Sequence, residues 1–111
     1  MKKERGLALA ACAALAALLL LFASQCSPLY PLNIWGDANC LLTVGRVMKS
    51  GGVLYRDIYE QKGPLLYLIH ALAACISDTS FWGVYLLEIP ALTAALYAAY
   101  RLMRLRAGSA F

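Results

Sequence analysis

Leu7–Ala23 reads LALAACAALAALLLLFA, a run of Leu, Ala, Cys and Phe without one polar side chain. At about 1.5 Å per helical residue it reaches about 25 Å, and Ser24 and Gln25 bring it close to the ~30 Å of a bilayer core. A basic head, MKKERG over residues 1–6, precedes it. Lys2, Lys3 and Arg5 in that head place the N-terminus in the cytoplasm under the positive-inside bias. A cleaved signal peptide has the same outline. Phe22-Ala23-Ser24-Gln25-Cys26 offers no good small-x-small cleavage match, and Gln25 spoils a lipoprotein-type site at Cys26. The stretch is read as an uncleaved anchor over residues 7–25.

The rest of the composition agrees with a bilayer setting. Of 111 residues, 62% are hydrophobic and 14% charged, with mean hydropathy +0.66. Ordinary globular chains carry roughly 45–50% and about 25%, and a soluble fold this small cannot hide so much apolar side chain. Disorder is excluded by the same figures. The net charge of +4 is too clustered to suggest a nucleic-acid partner.

Ser27–Lys62 is the polar stretch, opened by Pro28 and Pro31. Cys40, Leu41, Val44, Val47 and Met48 recur at helical spacing, opposite Asn39, Thr43, Arg46 and Lys49. The pattern predicts an amphipathic helix over 37–50, with Asp37 as its N-cap and Gly51-Gly52 as its stop. Beside an anchor, such a helix is expected to lie in the interface. Val53–Tyr59, VLYRDIY, reads as extended.

A second apolar helix is expected over 63–77, with Pro64 in its first turn. It is short for a span. Phe81–Met103 is long enough to cross, though Glu88 and Pro90 interrupt it, and it runs into Arg101, Arg104 and Arg106. If 63–77 crosses as well, there are three spans and this basic cluster falls outside. If it lies along the outer interface, there are two spans and the cluster is cytoplasmic, as the charge bias prefers. The expected fold class is therefore an all-α integral membrane protein with two transmembrane helices, or three. A loop over 26–80 faces out of the cell and carries both juxtamembrane helices, and a basic tail covers 104–111.

No phosphate-binding Gly loop, HExxH or Gly-x-Ser-x-Gly is present, and the four cysteines lack zinc spacing. Cys26 and Cys40 would share an oxidising exterior and could pair. Trp35, Tyr55, Tyr59 and Tyr67 read as an interfacial aromatic belt. His70 reads as a packing residue. Glu88, a carboxylate inside an apolar span, is a functional candidate by default.

One constellation stands out: Tyr55-Arg56-Asp57-Ile58-Tyr59-Glu60-Gln61-Lys62-Gly63-Pro64-Leu65-Leu66-Tyr67, preceded by Trp35-Gly36-Asp37. It resembles the first outer loop of GT-C membrane glycosyltransferases, in the branch of protein mannosyltransferases and aminoarabinose transferases. The resemblance runs from Pro28 to Arg106 and departs at Gly63, where many relatives have Pro. It implies a donor sugar on a polyprenyl phosphate and an extracytoplasmic acceptor, which is a glycan, lipid or protein hydroxyl. It makes Asp37 the catalytic residue and Lys62 the donor-phosphate contact. Arg56 is expected as a second phosphate contact, with Asp57 or Glu60 orienting the cations. A divalent metal is compatible with the resemblance, but no metal ligand is assigned. Because these enzymes have many more spans, the resemblance implies the N-terminal part of a larger enzyme, inactive alone. The competing expectation is a small non-enzymatic membrane protein or accessory subunit.

Overall fold

The computed structural model describes Lys2 to Gly108; Met1 and residues 109–111, the outermost parts of the basic head and tail, lie outside the described residues. Four helices account for the regular structure of the described residues, and no strand forms among them. They are α1 (Lys2–Ala23), α2 (Gly36–Lys49), α3 (Pro64–Ile76) and α4 (Trp82–Gly108). Two of them, α1 and α4, are long and apolar enough to cross a membrane.

The helices pack in series, α1 on α4, α4 on α3 and α3 on α2. Glu4 and Arg5 share a surface depression with Tyr100, Arg101 and Arg104, while Ser24 bonds Glu88 at the other end. The long helices are thus antiparallel, with the basic head and the arginines of α4 at the same end. The molecule measures 58 × 29 × 22 Å, longer than the ~30 Å apolar layer of a bilayer. Helices α2 and α3 form a ledge at the end away from the arginines.

Local chemistry explains where the helices stop. The last carbonyls of α1 have no partners within the helix. The buried Ser27 hydroxyl donates to the Leu21 carbonyl at 2.7 Å, and the Tyr30 hydroxyl to the Phe22 carbonyl at 2.9 Å. Helix α2 closes on Gly51, at φ +94°. The Gly51 N–H bonds the Met48 carbonyl and the Gly52 N–H bonds the Val47 carbonyl, the double bond of a Schellman cap. Helix α4 continues through Pro90 to Gly108, so the arginine cluster from 101 onward is helical.

The structure corrects three readings. Asp37 is not the N-cap of α2; Trp35 holds that place, and Asp37 lies in the first turn. The reason is an asparagine lock. Asn33 accepts the Trp35 N–H, and the Asn39 amide donates to the carbonyls of Asn33 and Trp35. Helix growth therefore begins earlier and leaves the Asp37 carboxylate free to reach outward. Val53–Tyr59 is not extended but folds into a tight loop. Asp57 Oδ2 accepts the Val53 N–H at 2.7 Å, and the Arg56 and Asp57 N–H groups return to the Val53 carbonyl, the local competition expected of an aspartate. The pairing of Cys26 with Cys40, which the sequence leaves open, does not form, and both are free thiols. Tyr67 is fully buried, in a core with Leu41 and Val44 rather than in an interfacial belt.

Close backbone approach holds the ledge together. A Cβ on Gly45 would overlap the His70 carbonyl, and one on Gly83 would overlap the Ala73 carbonyl. Glycine at these two positions lets α2 meet α3 and α3 meet α4 at near-backbone distance.

Candidate functional site

The four helices leave a cleft of about 490 Å³ where the end of α1, the starts of α2 and α3, and the second turn of α4 converge. Asp37, Lys62, His70 and Glu88 all line it, with Ser24 and Trp35.

Asp37 and Lys62 come together at its mouth. Lys62 Nζ lies 3.8 Å from Asp37 Oδ2, an ion pair too long for a hydrogen bond. The side chains are 40% and 70% exposed respectively, so the pair is weakly held and readily opened by a competing anion; exposed pairs contribute about 0–1 kcal/mol. Asp37 also lies in the first turn of α2.

The backbone of Lys62 is fixed by two tyrosines. Its N–H donates to the Tyr67 hydroxyl at 2.8 Å, and its carbonyl accepts from the Tyr55 hydroxyl at 3.3 Å. Tyr67 in turn donates to the Glu60 carbonyl. The rings meet edge to face at 6.1 Å. Tyr55 holds φ +65°, an uncommon backbone state for a residue with a side chain. Buried Tyr67 thus ties the segment before α3 to the core, so the Lys62 ammonium projects from a rigid base on a flexible stem.

The remaining expected site residues lie elsewhere. Arg56 forms a bidentate pair with Asp57, Nε to Oδ1 and Nη2 to Oδ2, both at 2.8 Å. Neither lines the cleft. The guanidinium holds the Asp57 carboxyl below the ordinary carboxylate range, helped by the Val53 N–H. Glu60 opens instead onto a separate depression with Asn39, Cys40 and Thr43. Its Oε2 is buried with no hydrogen-bond partner among the described residues.

His70 and Glu88 are the residues whose place in this cleft the sequence did not disclose. His70 is nearly buried, and its Nδ1 lies 2.9 Å from the Leu66 carbonyl. Because a carbonyl only accepts, Nδ1 carries the proton in that bond. Glu88 Oε2 accepts from the Ser24 hydroxyl at 2.6 Å. Ser24 lies just past the end of α1, so Glu88 is level with that end rather than deep along the span. Near this pair, burial pushes the Cys26 thiol upward and the Glu88 charge adds to the effect. Among the described residues, no three His, Cys, Asp or Glu side chains are grouped to hold a metal ion. No family model, curated protein or solved structure matches the chain.

Proposed function

We propose that the cleft is part of a membrane glycosyltransferase site of the GT-C kind, taking a sugar from a polyprenyl phosphate to a hydroxyl outside the cell. In this reading the chain supplies two functional groups, and further spans of the enzyme supply the rest. The observation that carries it is the Lys62–Asp37 pair at the mouth of a cleft that polar and apolar side chains line together, next to two helices suited to crossing a bilayer.

Each group has a chemical task. Lys62 receives the lipid phosphate as a compact cation with three donors. Binding of the phosphate draws the ammonium away from Asp37 and frees the carboxylate as a base. The acceptor oxygen attacks the anomeric carbon, the carbon–oxygen bond to phosphate breaks, and its electron pair stays on the phosphate. The acceptor proton passes to Asp37. Negative charge grows on the phosphate as that bond breaks, so a fixed cation stabilises the transition state more than the ground state. Arg56, already paired with Asp57, is left out of this mechanism.

Donor binding and transfer test the two roles separately. In nanodiscs, Lys62→Gln should weaken binding of polyprenyl phosphate about tenfold or more, while Arg56→Gln leaves it unchanged. Within the complete enzyme, Asp37→Asn should abolish sugar transfer in membranes that carry it at normal levels. Undiminished binding by Lys62→Gln, or undiminished transfer by Asp37→Asn, would leave the non-enzymatic membrane protein as the better reading.

A further inference from the structure

We infer that Glu88 and Ser24 form the sugar-binding wall of the cleft, accepting hydroxyl groups of a neutral polyol carried on the phosphate at Lys62. The inference rests on the lipid-phosphate reading above and names the part of the donor that this wall recognises. It starts from the placement of a carboxylate within the otherwise apolar first half of α4, at a cleft rather than against lipid. A carboxylate among apolar side chains is costly unless it has polar company. Among the described residues, its hydrogen-bonding company is a single donor, Ser24.

Ser24 is held in one orientation. Its oxygen accepts the Cys26 N–H at 3.1 Å while its hydroxyl donates to Glu88. That fixes Glu88 Oε2 and leaves a carboxylate with acceptor capacity to spare. The group that completes it must be a donor, either a hydroxyl or an ammonium. Lys62 and His70 line the same cleft, and the lysine cation disfavours a second cation. A hydroxyl-rich, uncharged group fits best. The remaining wall suits one too. Leu41, Val84 and Trp35 also line the cleft, and the C–H face of a sugar can lie against such residues while its hydroxyls reach Glu88.

The test measures a preference. Reconstituted in nanodiscs, the chain is titrated with polyprenyl phosphate and with a polyprenyl phospho-hexose. The inference predicts that the hexose-bearing lipid binds about tenfold tighter. Glu88→Gln should erase that preference while leaving affinity for the bare phosphate unchanged. Lys62→Gln should weaken both lipids by the same factor. Ser24→Ala, which keeps the carboxylate but unlocks it, should reduce the preference with little change in thermal stability. It decides the matter if Glu88→Gln does not fold. A preference that survives both substitutions overturns the inference and makes Glu88 a tie between α1 and α4. Lys62-dependent binding of both lipids with no preference overturns it while leaving the lipid-phosphate reading standing. Failure to bind either lipid overturns both.

Discussion

The α1–α4 pair and the α2–α3 ledge solve burial in different ways. In the long pair, 6% of the apolar window of α1 and 11% of that of α4 are buried within the chain. Leu7, Leu15, Leu18 and Phe22 are exposed along α1. In the ledge, Tyr67, Leu41, Leu42 and Val44 are buried, and Gly45 brings two backbones together. The ledge carries its own core, whereas the long pair leaves its apolar surface to lipid or to other helices. The cleft forms where the two regimes meet, and a polar group there can be both fixed by packing and reached from outside. The outer face of α3, with Leu65, Leu68 and Leu72 exposed, follows the long pair rather than the ledge.

This contrast can be broken by adding bulk. Gly45→Leu should separate α2 from α3 and destabilise the ledge by about 3 kcal/mol or more. Ala11→Leu, on an exposed face of α1, should change little in a bilayer. Comparable losses in thermal unfolding and protease resistance of the two variants would erase the distinction. Tyr67→Phe should cost less, about 1–2 kcal/mol, since it strands the Lys62 N–H and the Glu60 carbonyl but keeps the ring. It should also weaken polyprenyl phosphate binding, because the base of Lys62 loosens. Unchanged binding would mean that the tyrosine supports the fold and not the site.

The smallest effect concerns the exposed ion pairs. Arg56 lowers the Asp57 pKa, and Lys49 does the same for Asp78 through a 2.7 Å contact. A carboxylate whose folded pKa lies below its unfolded one contributes stability above the unfolded value and loses it as pH falls through the folded value. Hydrogen exchange at the Val53 amide should therefore stay slow through the ordinary aspartate range and accelerate only below it. Asp57→Asn should abolish that pH dependence without disturbing the cleft. Acceleration already at the usual aspartate pKa would show that the pairing is not maintained.

Much of this architecture was legible in the residues, for physical reasons. An unbroken apolar run such as Leu7–Ala23 has few structural outcomes, and Gly51-Gly52 after an amphipathic repeat marks a helix end through glycine's access to positive φ. Local competition was harder to read. The asparagines at 33 and 39 moved the start of α2, and the Asp57 side chain turned VLYRDIY into a loop, because both compete for backbone partners that a periodicity reading assigns to regular structure. The nearness of Asp37 and Lys62 was anticipated only through a family resemblance. The approach of Glu88 and His70 to that pair depends on helix crossings set by Gly45 and Gly83, which no local pattern encodes. The apolar context of Glu88 marked it as unusual but could not say what it faces.

The most direct test of the account asks whether the cleft opens outside the cell and takes a lipid phosphate. With the four native cysteines replaced, Gln25→Cys puts one thiol on the wall of the cleft. A membrane-impermeant maleimide is then applied to right-side-out vesicles prepared with and without polyprenyl phosphate. The account predicts labelling without permeabilisation, and much slower labelling when the lipid is present. Labelling that requires permeabilisation, or that proceeds at the same rate with the lipid present, would contradict it.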